Sequence, residues 1–152
     1  LKYFWGASYG SIYPTLSDLV KRGLADKREE RENNRNKLIY TITDAGREYL
    51  KAWLKAPAER DELRYETLLK LFFGNESGEE QAIMHIEAFR EKTETELAYL
   101  MKAEQALKAC LDEDETHKYY LLTVEFGIKT CRAYLEWCGE AKKTFENQEK
   151  KQ

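Results

Sequence analysis

Apolar residues recur at three- and four-residue spacing near the start of the chain, which is the pattern of one helix face. The members of this set, which we expect in the core, are Ile12, Leu16, Leu19 and Val20. Gly23 stands where such a helix would end. Pro14 interrupts the pattern, but a helix tolerates proline in its first turn, where the missing N–H would be unpaired anyway. The sequence therefore predicts a helix over residues 11–22, capped by Ser8 or Ser11.

After Gly23 the pattern becomes that of strands. Residues 24–30 are short and charged, and residues 37–43 are rich in β-branched and aromatic side chains. The polar residues 31–36 between them suit a turn, so we expect a β-hairpin with a cationic tip. Thr43 is then a candidate N-cap for a further helix that ends before Pro57.

Beyond Pro57 the pattern is helical throughout. It predicts a short helix ending at Gly74, a long one starting near Ser77 and a third from about Glu115 to Asn147. In the last helix, spacings of 3, 4, 3, 4 and 3 define a seam of the kind that packs along another helix. We predict that this seam is the interface of a homodimer, formed by Leu121, Val124, Ile128, Cys131, Leu135 and Cys138.

Charge divides the chain in the same way as the predicted elements. Residues 1–56 hold 11 Lys/Arg against 7 Asp/Glu, whereas residues 57–152 hold 14 against 21, so the overall charge of -3 hides a basic front and an acidic back. We expect a mainly α chain with one small β-hairpin. It comprises a winged helix-turn-helix domain at 1–56 and a helical dimerisation domain at 57–152.

A helix followed at once by a hairpin with a basic tip is the order of a winged helix-turn-helix, in which the helix is inserted into the DNA major groove and the hairpin flanks it. Hydroxyls around the helix N-terminus and the basic groups of the hairpin would then meet phosphates and base edges. The predicted DNA-binding residues are Ser8, Tyr9, Ser11, Thr15, Lys21, Arg31, Arg35, Lys37 and Tyr40.

Three blocks of sequence resemble the PadR family of bacterial transcriptional regulators, in the branch with a long helical C-terminal domain. They are "GSIYPTLSDLVKRGLADKREE", "NKLIYTITDAGREYLKAWL" and "RDELRYETLLKLFFG", and "YLEW" near Trp137 adds a weaker match. The resemblance implies a transcriptional repressor, and the predicted homodimer, with two recognition helices related by a two-fold axis, would bind an inverted-repeat operator. The resemblance also implies two helices before the recognition helix, which we expect to be missing from this sequence because so few residues precede Tyr9.

The resemblance further implies a small aromatic effector, because some PadR-like repressors are released from DNA by planar compounds. Aromatic residues that could line such a pocket are Trp53, Tyr119, Tyr120, Phe126, Tyr134 and Trp137. Aromatics at helical spacing are more often core residues, so both interpretations stay open.

Other chemistry finds little support in the sequence. The three cysteines lie in helical segments and their odd number suits a reducing compartment, so we expect a cytoplasmic protein. No apolar stretch is long enough for a membrane span. His85 and His117 do not sit at metal-ligand spacings, and we predict neither a metal, nor a cofactor, nor an enzymatic activity. A helical adaptor without DNA binding remains the alternative.

Overall fold

A computed structural model describes residues 9–32, 35–58, 64–111 and 114–149. The chain divides into two compact units, residues 1–62 and 63–152, so the division falls after Glu62 rather than after Ala56. The elements of the first unit are α1 (Tyr9–Lys21), β1 (Ala25–Glu32), β2 (Arg35–Ile42) and α2 (Asp44–Lys55). Those of the second are α3 (Glu66–Phe72), a single 3₁₀ turn (Gly74–Glu76), α4 (Glu79–Ala109) and α5 (His117–Glu149). The chain is thus mainly helical with one antiparallel hairpin, as the sequence predicts.

Helix α1 already includes Tyr9, two residues before the predicted range 11–22, which is where a helix capped by Ser8 rather than Ser11 would begin. Tyr9 is already helical, so Ser11 lies inside the helix and is not its N-cap, and Ser8 falls outside the described residues. Pro14 consequently lies beyond the first turn and leaves the carbonyl of Gly10 without its usual amide partner. The prediction of Pro14 in the first turn was wrong because at least five helical residues, Tyr9 to Tyr13, precede it.

The end of α1 agrees with the sequence. Gly23 adopts a positive φ of 69°, its N–H donates to the Val20 carbonyl, and the N–H of Leu24 donates to the Leu19 carbonyl at 2.9 Å. This pair of bonds is the Schellman arrangement, which stops a helix at a residue that can adopt the left-handed conformation. The chain therefore leaves α1 in a defined direction and begins β1 at once.

Strands β1 and β2 pair over eight residues each, from Ala25 opposite Ile42 to Glu32 opposite Arg35. The pairing reaches further toward the tip than predicted. Arg31 and Arg35 belong to strands, not to the turn, because backbone pairing continues through polar residues wherever both strands stay extended.

Helix α2 is tied to the end of α1 by its N-cap. The Thr43 hydroxyl accepts from the Gly46 N–H at 3.0 Å and donates to the Gly23 carbonyl at 2.8 Å. Gly46 is buried, and a Cβ at this position would lie 2.0 Å from the Leu24 carbonyl oxygen. Only glycine allows this approach, so the predicted cap at Thr43 is confirmed and also joins two helices.

The first unit buries little of its apolar surface within the described residues. Of the four α1 residues predicted in the core, Ile12 is 38% exposed and Leu16, Leu19 and Val20 are only half-buried. On α2, Trp53 and Leu54 are 60% and 65% exposed. The core prediction is wrong for Ile12 because, among the described elements, α1 packs mainly on β1 and leaves this side chain exposed.

The second unit is a long antiparallel helical hairpin. Helices α4 and α5 contain 31 and 33 residues, so they are about 46 and 50 Å long. An ion pair between Glu87 and Lys142 joins the start of α4 to the end of α5, at 2.5 Å. At the closed end, the His117 ring lies 2.7 Å from the Cys110 carbonyl through its Nδ1 atom. None of the described helices has the length and apolarity needed to cross a membrane.

The seam of α5 is buried by α4 of the same chain. Ile128, Cys131 and Cys138 are each no more than 4% exposed. Residues so deeply buried in one chain have little surface left for a second one. The interpretation of the whole seam as a dimer interface therefore needs correction, because a heptad-like spacing shows that a helix has a partner but not which chain supplies it.

Candidate DNA-binding surface

The exposed face of α1 carries hydroxyl groups. Ser11 and Thr15 lie about one turn apart on it, both exposed, whereas Tyr13 and Ser17, two residues after each of them, lie on another side of the helix. The Thr15 hydroxyl donates to the Ser11 carbonyl at 2.8 Å, which leaves its oxygen able to accept. Tyr9 is the first described helical residue, but its side chain lies outside the described part. Among the residues predicted for this helix, the structure therefore brings Ser11 and Thr15 together on one surface.

Arginine at the C-terminal end of α1 was missed by sequence reasoning. The Arg22 guanidinium lies over the Tyr49 ring of α2, 4.6 Å from the ring centroid, and contacts the Asp18 carboxylate at 3.4 Å. Hydrogen bonding to Tyr49 and then to Asp18 raises the pKa of Arg22 above its usual value. The spacing to Asp18 was readable in the sequence, whereas the contact with Tyr49 exists only once α2 folds back. Lys21 is exposed beside it.

The hairpin is less basic than its tip suggests. Residues 25–42 contain five Lys/Arg and four Asp/Glu. Register places Glu30 opposite Lys37 and Glu32 opposite Arg35, and the Arg28 guanidinium contacts the Glu30 carboxylate at 2.7 Å. The side chains of Arg31 and Arg35 lie outside the described part. The predicted cationic tip is therefore better described as a hairpin of alternating charge with a small positive excess.

Lys37 and Tyr40 lie on opposite faces of the hairpin, because side chains alternate along a strand. Tyr40 is half-buried and shares its face with Ile42 and, across the ladder, with the buried Ala25. Lys37 is exposed on the other face, next to Glu30. The structure thus separates two residues that the sequence assigned to one surface.

The aromatic residues predicted for a ligand pocket fall into separate groups. In the second unit, Tyr134 and Trp137 both pack against Phe89, with ring centroids 5.7 and 6.0 Å away. Tyr65 completes this group, and its hydroxyl lies 2.5 Å from that of Tyr134. Burial, followed by the hydrogen bond with Tyr134, raises the pKa of Tyr65 well above its usual value. Trp53 belongs to the first unit, so the set is split between the two units.

The other predicted aromatics form an exposed stripe near the start of α5. Tyr119, Leu122 and Phe126 follow one another at spacings of three and four, and each is more than 60% exposed. Tyr120 is exposed beside them. We call Tyr119, Leu122 and Phe126 the α5 stripe. In the described part of the chain, no group of His, Cys, Asp or Glu side chains is arranged to hold a metal ion.

A helix, a β-hairpin and a capped second helix, followed by a long helical hairpin, define a winged-helix protein with a helical C-terminal domain. Residues 1–52 match the model of the transcriptional regulator PadR-like family, and residues 63–146 match that of the virulence activator alpha C-terminal domain. The two matches together cover most of the chain. The chain therefore belongs to the PadR-like family of transcriptional regulators, in the group with this C-terminal domain, and the members of that family are not enzymes.

Individual relatives agree with this assignment. The chain is 32% identical over 75 residues to the negative transcriptional regulator PadR of Bacillus subtilis strain 168; the alignment covers 48% of the chain and only 41% of that relative. Smu.1604c from Streptococcus mutans UA159 has a similar structure, with a TM-score of 0.78, 27% identity and coverage of 93% and 82% of the two chains. The PadR-like regulator BC1756 from Bacillus cereus gives a TM-score of 0.70 at 28% identity, over 99% of this chain and 83% of that one.

Proposed function

We propose that this chain is a transcriptional repressor that binds an inverted-repeat operator as a homodimer. One observation carries the proposal: the hydroxyl-bearing face of α1 and the Lys37 face of the hairpin are held in one compact unit by the Thr43 cap. A rigid unit of this kind can present a helix to the major groove and a strand pair to the adjacent backbone. Bacillus subtilis PadR has been solved in complex with operator DNA, which supports the same role here.

Division of labour between the two elements follows from their chemistry. Ser11 and Thr15 carry short hydroxyl side chains, and the Thr15 oxygen can accept from donors on base edges while its proton is held by the Ser11 carbonyl. Lys37 carries a point charge that suits phosphate, which holds no sequence information. We therefore assign sequence preference to α1, and affinity and its salt dependence to the hairpin.

Dimerisation is assigned to the α5 stripe rather than to the seam. Three large side chains more than 60% exposed on one helix face are costly to leave in water, and a second copy of the same stripe would cover them around a two-fold axis. The half-buried Leu121 and Val124 belong to the seam on the other side of α5 and are not part of this contact. A two-fold dimer in turn favours an operator made of two inverted half-sites.

Repression and release by a ligand follow the B. subtilis relative. That relative is a negative regulator, and its structure in complex with p-coumaric acid has been determined. We propose that this chain also represses, in the cytoplasm, and that a small aromatic compound releases it from DNA. Tyr65 closely follows the junction between the two units in sequence and packs in one aromatic group with Phe89, Tyr134 and Trp137, so a ligand at this group would act on the start of the second unit.

The test is binding to duplex DNA from the region upstream of the gene that encodes the chain, measured by fluorescence anisotropy at salt concentrations from about 50 to about 300 mM. We expect log K to fall linearly with log salt, with a slope of roughly −4 or steeper, as about five phosphate contacts release their counterions. Binding that is absent at low salt, or is independent of salt, would favour the adaptor interpretation.

Half-site geometry gives a second test. Once the site is mapped, the spacing between half-sites is changed one base pair at a time. Insertion of about five base pairs should remove most of the specific affinity because it turns one half-site to the far side of the duplex. An equal affinity at every spacing would contradict binding as a dimer.

A further inference from the structure

An open groove of about 710 Å³ lies at the end of the helical hairpin. Its walls come from the end of α3, the 3₁₀ turn, the first turns of α4 and the last described turns of α5. The volume falls within the range of about 300–1,000 Å³ that is usual for small-molecule sites. We call it the Trp137 groove.

Apolar side chains supply most of the groove's lining. Trp137 and Phe145 contribute aromatic surface from α5, and Leu71 and Ile86 contribute aliphatic surface from α3 and α4. Small residues, Gly78 with a φ of 88° among them, keep the floor open. An apolar pocket of this kind suits a flat hydrocarbon ring system.

The charged groups around the groove indicate whether a cationic or an anionic aromatic ligand would bind. Among the described residues that line the groove, Glu79 is the only charged one, and none is a lysine or an arginine. The nearby Lys142 ammonium is engaged by the Glu87 carboxylate. The N-terminus of α4 would attract an anion through its backbone dipole, but Glu79 and Glu80 already lie in its first turn and offset that field. The acidic balance of residues 57–152 adds to the same preference.

We propose that the Trp137 groove binds a planar aromatic amine, with the rings against Trp137 and Phe145 and the ammonium group toward Glu79. This proposal names a ligand class for the proposed effector. It favours an amine over an aromatic acid, because an acid would place its carboxylate beside that of Glu79. The regulatory part of the proposal rests on the proposed function, since it needs DNA binding to act on. The binding part does not.

The position of the Trp137 groove suggests how a bound ligand would affect α3 and the aromatic group around Tyr65. Leu71 lines the groove from α3, and α3 begins directly after Tyr65. Trp137 packs edge-on against Phe89, which in turn contacts the Tyr65 ring. A ligand against Trp137 therefore contacts both α3 itself and the aromatic group that holds its start.

The experiment compares three indole probes on the full chain by isothermal titration calorimetry without DNA: tryptamine, indole and 3-indolepropionate. We expect tryptamine to bind about tenfold more tightly than 3-indolepropionate at about 0.1 M salt, as a single nearby carboxylate in a partly solvated site would give. Indole should fall between the two. Equal binding of cation and anion, tighter binding of the anion, or no binding of any probe at millimolar concentration would overturn the proposal.

Two matched pairs of variants locate the site. Glu79→Gln should abolish the preference for tryptamine, whereas Glu80→Gln, in the same helical turn but outside the lining, should keep it. Ala141→Phe fills the groove and should block every probe, whereas Ala133→Phe, exposed on the same helix, should not. Probe binding that survives Ala141→Phe would mean that the groove is not a ligand site. Sedimentation of a native dimer that only Ala141→Phe breaks would mean the same, because the groove would then be an interface.

A DNA titration separates this proposal from the proposed function. Tryptamine at saturating concentration should lower the affinity for the operator at least threefold in the native chain and leave it unchanged in Ala141→Phe. Calorimetric binding without any DNA affinity would overturn the proposed function alone. DNA binding without calorimetric binding would overturn the groove alone.

Discussion

The Thr43 hydroxyl donates a hydrogen bond of 2.8 Å to the carbonyl of Gly23, twenty residues earlier, while it accepts one from the N-terminus of its own helix. One side chain thereby caps α2 and fixes where α1 ends. Since α1 carries the proposed sequence-reading face, the orientation of that face depends on a residue that need not touch DNA.

Replacement of Thr43 by valine should destabilise the first unit by about 1–2 kcal/mol, because the side chain keeps its shape but loses both bonds of the cap. The matched control is Thr41→Val, an exposed position on β2. Chemical unfolding followed by circular dichroism measures both. Equal unfolding free energies for the two variants would show that the bridge contributes nothing.

Two glycines should respond oppositely to alanine. Gly46→Ala places a Cβ within 2.0 Å of the Leu24 carbonyl oxygen and should cost about 2 kcal/mol or more, because backbone must move. Gly139→Ala, in α5 with no neighbour within 4 Å, should stabilise by about 0.5–1 kcal/mol through its helix propensity. Thermal unfolding of both variants checks the signs, and a stabilising Gly46→Ala would contradict the close packing of α2 on Leu24.

Substitutions at two nearby positions on α5 should have different effects, one on dimerisation and the other on folding. Phe126→Glu, at a position 66% exposed, should turn the proposed dimer into a folded monomer. Ile128→Glu should instead lose helical structure, because it buries a charge between α4 and α5. Sedimentation velocity and circular dichroism distinguish the two results. A Phe126→Glu variant that remains dimeric would exclude the α5 stripe as the interface.

Charges on the hairpin should act on DNA affinity in opposite directions. Lys37→Gln should weaken binding to all sequences alike and reduce the salt slope by about one unit for each phosphate that the hairpin no longer neutralises. Glu30→Gln should strengthen binding, roughly threefold at about 0.1 M salt, because it removes a negative charge opposite Lys37 and frees Arg28 from its ion pair.

The control for the hairpin variants is Lys108→Gln, whose ammonium is paired with Glu104 in α4. It should leave both affinity and salt slope unchanged. Ser11→Ala and Thr15→Ala should change which operator sequence is preferred. If Lys37→Gln kept the native salt slope, the residue at that position would not bind a phosphate.

Alkaline pH should destabilise the second unit through Tyr65. Its pKa is raised in the folded state, so the neutral form is favoured there. Stability is therefore fully present below the unfolded pKa of about 10 and is lost as pH rises above it, because the unfolded chain releases the proton first. The free energy of unfolding, measured from about pH 8 to about pH 11, should fall more steeply for the native chain than for Tyr65→Phe. Parallel curves would contradict this role of Tyr65.

Local chemistry explains which features could be predicted from the sequence. The glycine that ends α1 and the threonine that caps α2 act on their own backbone neighbours, so their roles were readable. The hairpin and both long helices follow from side-chain periodicity alone. Pro14 shows the limit of this reasoning, since Ser8 and Ser11 are both acceptable caps and local chemistry does not say which of them precedes the helix.

Tertiary contacts explain what could not be predicted. The contact of Arg22 with Tyr49 needs α2 in place, and the burial of Ile128 depends on α4 folding back along α5. Periodicity marks the apolar stripe of a helix without saying which element covers it. For this reason periodicity alone points to the seam as a dimer interface, although the exposed stripe lies on the opposite face of α5.

Gly127 and Leu100 place a limit on how the helical hairpin can change in length. A Cβ at residue 127 would lie 2.9 Å from a Leu100 methyl carbon, and the Glu87–Lys142 ion pair and the His117–Cys110 contact fix the two ends. A one-residue insertion in either helix rotates all later side chains by about 100° and shifts them by about 1.5 Å. The two helices can therefore lengthen only together, by whole repeats of the seam, and a natural insertion in one should be accompanied by a compensating one in the other.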